Sequence, residues 1–143
     1  MLTLDAVCAG YNASEVLHGI DLRLMEGEVV TLLGRNGMGK STTINCISRL
    51  LDIRSGRIEF NGVLLNDIAS YQVARLGVGL VPEERHIFPN LSVSENLSVA
   101  AANYSGTDRP WILDRIFDLF PRLRGRRHQA GNQLSGGEEE MLA

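Results

Sequence analysis

Gly34-Arg35-Asn36-Gly37-Met38-Gly39-Lys40-Ser41 gathers glycines, a lysine and a hydroxyl into one short run. The spacing G-x-x-x-x-G-K-[ST] suits one kind of chemistry, the cradling of a polyphosphate. Gly34, Gly37 and Gly39 let the backbone take positive φ and approach a ligand without a Cβ in the way. Consecutive N–H groups then form an anion-binding concavity at the start of a helix. Lys40 brings a point charge to the β- and γ-phosphates, and the Ser41 hydroxyl can sit on Mg²⁺. Gly makes up roughly 7% of residues in ordinary chains, so chance gives this pattern in under about one chain in a hundred of this length. The run therefore implies a nucleoside triphosphate site.

Such a loop has to be held between a strand and a helix. Val29-Val30-Thr31-Leu32-Leu33 predicts the strand, and Thr42 to Leu51 the helix, with Ile44, Ile47, Leu50 and Leu51 on one face. Upstream, Leu2 to Ala9 reads as a first strand, broken by Gly10-Tyr11-Asn12, and Val16 to Met25 as a second. Their tight turns predict an antiparallel sheet beside a parallel core. Asn61-Gly62 signals a type I′ hairpin between Arg57–Phe60 and Val63–Leu65. Asp67 to Leu76 is a short helix candidate, and Gly77 to Val81 reads as a buried strand ending at Pro82. The second half changes character. Ser92-Val93-Ser94-Glu95 is a capping box opening a helix to about Asn103. Ser105 to Asp108 is a loop, and Pro110 suits the first turn of a helix whose apolar face is given by Trp111, Ile112, Arg115, Ile116, Leu119 and Phe120, closed by Pro121. Arg122, Arg124, Arg126, Arg127 and His128 read as a solvated basic helix end, with an acidic partner as the alternative.

Bulk properties limit the function classes. The 143 residues are at most one domain, with a net charge of −3 and a pI near 5.6, unlike a general nucleic-acid binder. No apolar run reaches membrane-span length and no secretory signal precedes Leu2, so any membrane contact goes through partners. Cys8 and Cys46 read as reduced core thiols, and His18, His86 and His128 lack metal-ligand spacing.

Far downstream, Leu134-Ser135-Gly136-Gly137-Glu138 opens another helix. Ser135 can cap it while Gly136 and Gly137 leave its N–H groups accessible, which makes a second anion site. Together, Tyr11, Gly34 to Thr42, Val81-Pro82-Glu83 and Leu134 to Glu138 resemble ABC transporter ATP-binding subunits, from Leu2 to Ala143 and at family-like spacing. Val-Pro-Glu followed by Arg85, Ile87-Phe88-Pro89, Leu91 and Glu95-Asn96-Leu97 is similar to the ATPases of branched-chain amino-acid importers, as are Phe120-Pro121-Arg122-Leu123 and Met141-Leu142-Ala143. Urea importer ATPases come second.

The resemblance implies an α/β P-loop NTPase of three layers, with a partial nucleotide-binding core and antiparallel β subdomain over 1–84 and a helical subdomain over 85–143. It implies ATP and Mg²⁺ as cofactors, with Tyr11 stacked on adenine, Gly34 to Thr42 (the Walker A motif) around the phosphates and Ser41 on Mg²⁺. Glu83 would stand where most of the family has glutamine, touching Mg²⁺ or the attacking water and reporting to the membrane subunit. Ser135, Gly136 and Gly137 would contact the γ-phosphate held by a second copy or a second ATP-binding subunit, head to tail. Membrane permease subunits would be the other partners, with no nucleic acid, and the protein would sit peripherally on the cytoplasmic face of the inner membrane.

Two departures qualify that picture. Glu138-Glu139-Glu140 replaces Glu-Gln-Gln or Gln-Gln-Gln and places added negative charge beside a tetra-anionic nucleotide, an expectation of weaker cross-dimer capture. The chain ends at Ala143 without the Asp-Glu strand (Walker B) or the switch histidine, so it is expected to be an N-terminal fragment that binds ATP weakly, hydrolyses essentially none and self-associates through Val29 to Leu33. The alternatives are a soluble ABC protein acting on nucleic acid or ribosomes, and a P-loop kinase or GTPase; the latter have neither the Ser-Gly-Gly helix start at this distance nor the upstream aromatic.

Overall fold

The computed structural model describes residues 1–82, 86–101 and 111–143, and divides into two compact units, Met1–Gly79 and Leu80–Ala143. The first unit is built on a four-stranded antiparallel sheet in the order β2-β1-β3-β4, from β1 (Leu2–Tyr11), β2 (Ser14–Leu24), β3 (Ile53–Phe60) and β4 (Val63–Leu64). The antiparallel expectation holds for the first two strands, and the sheet recruits β3 on the other side of β1. Pleating alone would put Leu2 and Leu4 on the opposite face from Val7 and Ala9; an irregularity between Leu4 and Val7, with Ala6 at φ 45°, changes the register so that all four enter one core with Leu17, Ile58, Leu65 and Val73. β1 does not break at Gly10 as expected; it runs on to Tyr11, which pairs with Ser14 across the turn. Glycine is needed there because a Cβ on Gly10 would lie 2.0 Å from the Ser14 carbonyl oxygen. Asn61 and Gly62 both have positive φ, 49° and 81°, as a type I′ turn requires.

Helix α1 (Lys40–Ile47) follows the glycine loop and stops short of Leu51. Its buried face is Thr42, Thr43, Cys46 and Ile47; of the four residues that the sequence pattern suggested, Ile47 is in the core and Leu51 packs against it, whereas Ile44 and Leu50 are exposed. α2 (Ser70–Arg75) lies within the expected span and buries Val73. Cys8 and Cys46 are free thiols, and burial pushes the Cys46 thiol up from its ordinary value.

Two expected strands are corrected. Val29 to Leu33 forms no strand; Val29 is 94% and Leu33 89% exposed. Gly77 to Val81 forms none either, with Val81 82% exposed. A strand exists only through the ladder of a neighbour, and neither segment pairs with another among the described residues. The apolar runs are present without the partners that would turn them into sheet.

The second unit is helical: α3 (Val93–Ala100), α4 (Leu113–Leu119), α5 (Pro121–Gly125), a 3₁₀ turn (Gly131–Gln133) and α6 (Gly136–Leu142). Val93, Phe117, Leu123, Leu134 and Leu142 form its core. The Ser92 capping box is present: the Glu95 N–H donates to Ser92 Oγ at 3.2 Å and the Ser92 N–H to Glu95 Oε2 at 2.7 Å. Buried Asn96 secures the approach to α3, accepting from the Phe88 N–H and donating to the carbonyls of Phe88, Leu91 and Ser92. The face expected on α4 is corrected, since Trp111, Ile112 and Leu119 are exposed and Phe117 is the buried residue. The basic run is solvated as expected, with Arg124 on Asp118 and Arg126 on Glu138. Asn103, the loop from Ser105 to Asp108, and Pro110 lie outside the described residues.

Candidate functional site

The chain leaves β2 at Leu24 and turns at Glu26-Gly27, where the Met25 N–H donates to Glu28 Oε2 at 2.7 Å. It then runs through Val29 to Leu33 into the glycine loop. Gly37 and Gly39 take φ of 83° and 86°, conformations open to glycine. Gly34 does not, so its glycine is not required by backbone angle; a Cβ there would make ordinary contact with Met38 at 3.6 Å. Gly39 is doubly constrained, because its Cβ would also approach Leu17 Cδ2 to 2.6 Å. The Met38 N–H donates to the Arg35 carbonyl at 3.3 Å, closing the loop into a turn. Arg35, Asn36, Gly37 and Met38 face solvent.

Lys40 opens α1 and folds back over the loop, its Nζ donating to the carbonyls of Gly34 at 2.8 Å and Arg35 at 3.0 Å. This places the cation against the backbone of the loop it is expected to serve. Thr43 anchors the first turn, since its N–H and its hydroxyl both donate to the Gly39 carbonyl, at 2.8 and 2.9 Å. Ser41 is exposed on that turn, whereas Thr42 is buried. The donor set fits Mg²⁺ in the way that ion is usually held, by one or two protein oxygens with the remaining positions filled by phosphate oxygens and water. Ser41 supplies one such hard oxygen, and among the described residues no cluster of three or more His, Cys, Asp or Glu forms an all-protein cage. Glu83 lies outside the described residues.

The structure brings Tyr11 to the same helix. Its ring is 46% exposed at the end of β1, and Asn45 Nδ2, on α1, reaches its hydroxyl at 3.4 Å. From the other flank Arg54 of β3 donates to the carbonyls of Asn12 at 2.6 Å and Ser14 at 3.1 Å, across the turn that follows Tyr11. Sequence reasoning missed Asn45 and Arg54, and no local signal marks them, because both contacts join residues far apart in the chain.

Ser135, Gly136 and Gly137 belong to the second unit, at the start of α6. Ser135 stands at the N-cap of α6 in a capping box with Glu138. Its N–H and its hydroxyl both donate to Glu138 Oε2, at 2.9 and 2.8 Å. These two donors hold the Glu138 carboxyl below its ordinary value, with Arg126 beside it adding to the effect. A Cβ on Gly137 would meet open space, so glycine there answers no packing need of the surrounding chain.

The ABC transporter family model matches residues 17–143, covering both motifs. The chain belongs to the ABC transporter family. It is 36% identical over its whole length to the high-affinity branched-chain amino acid transport ATP-binding protein BraG of Pseudomonas aeruginosa, and 32% identical to the probable branched-chain amino acid transport ATP-binding protein LivF of Archaeoglobus fulgidus. The glutamine transport ATP-binding protein GlnQ of Escherichia coli is 31% identical. The chain spans 61% of the length of each of these relatives. Among solved structures, an ATP-binding subunit of an ABC transporter superimposes with a TM-score of 0.83 at 31% identity, over 99% of this chain and 59% of that one. A bacterial Atm1-family ABC exporter with ATP bound gives 0.77 at 26% identity, over 99% of this chain and 26% of that one. The fold is therefore that of an ABC ATPase cassette, and the antiparallel sheet is its β subdomain. Among the described residues no helix is long and apolar enough to cross a membrane.

Proposed function

We propose that this chain is part of the ATP-binding subunit that energises import of amino acids, of the branched-chain class, through membrane permease subunits. The observation that carries the nucleotide reading is the Lys40 ammonium poised over a loop whose Gly37 and Gly39 adopt glycine-only angles at the head of α1. In this reading Gly34 to Thr42 bind the phosphates, Ser41 holds Mg²⁺ and Tyr11 stacks on adenine. Mg²⁺, when bound, neutralises charge between the β- and γ-phosphates. Glu83 is the proposed link from that metal to the permease. The branched-chain assignment draws on the names of BraG and LivF, and GlnQ supports the broader amino-acid class.

Ser135, Gly136 and Gly137 serve the γ-phosphate of ATP held by a second ATP-binding subunit, arranged head to tail. Support comes from Gly137, whose missing side chain leaves the backbone open to an outside ligand. The subunit then works peripherally at the cytoplasmic face of the membrane. Lys40→Ala tests the nucleotide reading. Its Nζ bonds the loop carbonyls of Gly34 and Arg35, so the fold should persist while Mg·ATP affinity falls by about tenfold or more, as expected for losing a charge-assisted contact. Equal ATP affinity in the two proteins would sink it. Co-purification with permease subunits tests the transport reading independently.

A further inference from the structure

Tyr11 ends β1 beside a turn that the rest of the first unit grips from two sides. Asn12 sits in the left-handed region at φ 50°, and Gly10 lets the returning strand pass so close that any side chain would strike the Ser14 carbonyl. Arg54 projects from β3 and spans the turn, one guanidinium nitrogen donating to the carbonyls of both Asn12 and Ser14, with Glu15 Oε2 3.9 Å from the other. On the α1 side, Asn45 touches the Tyr11 hydroxyl from the helix that Lys40 begins. The aromatic ring and the phosphate loop are thus indexed to one another through α1, and the backbone that carries the ring is pinned by Arg54.

We propose that Arg54 is a positioning residue for the Tyr11 platform, setting affinity for the base of the nucleotide and not for its phosphates. This rests on the reading of Tyr11 as the adenine-stacking residue. A half-exposed ring on a hairpin end contributes to stacking only to the extent that its backbone is held before the ligand arrives. Both carbonyls take their bond from the same terminal nitrogen, which the planar guanidinium holds in place with its other terminal nitrogen 3.9 Å from Glu15 Oε2, whereas a lysine would have to bring its ammonium there on a flexible stem.

The test compares Mg·ATP with inorganic tripolyphosphate, which has no base, as ligands of the 143-residue chain. Arg54→Ala should weaken ATP by about fivefold, the loss of one well-oriented contact, and leave tripolyphosphate within about twofold. Arg54→Lys should fall between Arg54→Ala and the parent. In a Tyr11→Ala background Arg54→Ala should cost nothing further. The proposal is overturned if Arg54→Ala leaves ATP binding intact, if it weakens the two ligands equally as a general loss of structure would, or if its effect persists without Tyr11. A Tyr11→Ala chain that binds ATP like the parent overturns the platform reading itself. Loss on Tyr11→Ala with none on Arg54→Ala removes only the role of Arg54.

Discussion

Replacing Gly39 by alanine should cost far more than the same change at Gly37, although both residues lie in the loop at nearly equal φ of 86° and 83°. The shared term is the left-handed conformation, which costs an L-residue about 1–2 kcal/mol. At Gly37 nothing stands within 4 Å of the new methyl group, so that term is the whole effect. At Gly39 the methyl group would meet Leu17 Cδ2 at 2.6 Å and Val16 Cγ1 at 3.4 Å, and Leu17 is itself fully packed in the core. Forcing an extra carbon into a closed core adds about 1–3 kcal/mol. Gly39→Ala should therefore destabilise by about 2–5 kcal/mol against about 1–2 for Gly37→Ala, a large part of the stability of a small domain. Urea unfolding followed by far-ultraviolet circular dichroism measures both. The contact itself is isolated in a Leu17→Ala background, where the obstructing methyl is gone and Gly39→Ala should fall to the cost of Gly37→Ala. Equal costs in the parent chain, or an excess at Gly39 that survives the removal of Leu17, would refute the steric account.

Glu95 and Glu138 are held below the ordinary carboxyl value, Glu95 by the Ser92 hydroxyl and then its N–H, Glu138 by the Ser135 N–H and then its hydroxyl. Each folded value is depressed, so the stability each contributes is full above the unfolded value and is lost as pH falls through the folded one. Acid titration of the second unit by circular dichroism should show this loss, and Glu95→Gln with Glu138→Gln should flatten it; an unchanged acid limb would refute the assignment. Val29→Lys with Leu33→Lys should suppress self-association of the chain in sedimentation velocity, since both side chains project into solvent from an unpaired segment and the first unit's core does not use them. Unchanged sedimentation would show that the segment is not the contact.

What could be read from the sequence is what is decided locally. The Asn61-Gly62 turn needs only two residues that tolerate positive φ, and the Ser92 capping box is a bond between neighbours three apart. The strands of the antiparallel sheet were legible for the same reason, β1 and β2 being joined by a tight turn. Val29 to Leu33 and Gly77 to Val81 have equally good strand composition, yet a ladder is a property of two segments and among the described residues neither pairs with a second. On α1 the apolar period pointed to Ile44 and Leu50, whereas the helix lays Thr42, Thr43 and Cys46 on the sheet, with the Thr43 hydroxyl satisfied by the Gly39 carbonyl. A threonine that bonds within its own helix can enter the core at little cost, and a hydropathy pattern does not register that. At the site, the glycine and lysine types were legible. The need for glycine at Gly39 and not at Gly34, and the grip of Asn45 and Arg54 on the Tyr11 hairpin, depend on contacts across the fold.

Lys40 ties down a glycine loop that has no paired strand beneath it among the described residues. Its ammonium bonds the carbonyls of Gly34 and Arg35 and so draws the start of the loop toward α1, with the Arg35 carbonyl also taking the Met38 N–H. In the proposed nucleotide reading, phosphate binding would be an exchange and not an assembly. The ammonium would trade two neutral carbonyl oxygens for anionic ones, adding the attraction of opposite charges to bonds whose donor is ionised in both states. The carbonyls it releases lie on exposed residues, where water can replace the lost donor and no buried group is left unsatisfied. The side chain proposed to meet the phosphates thus also shapes the loop in advance, and in that reading Lys40 would link the affinity of the site to its geometry.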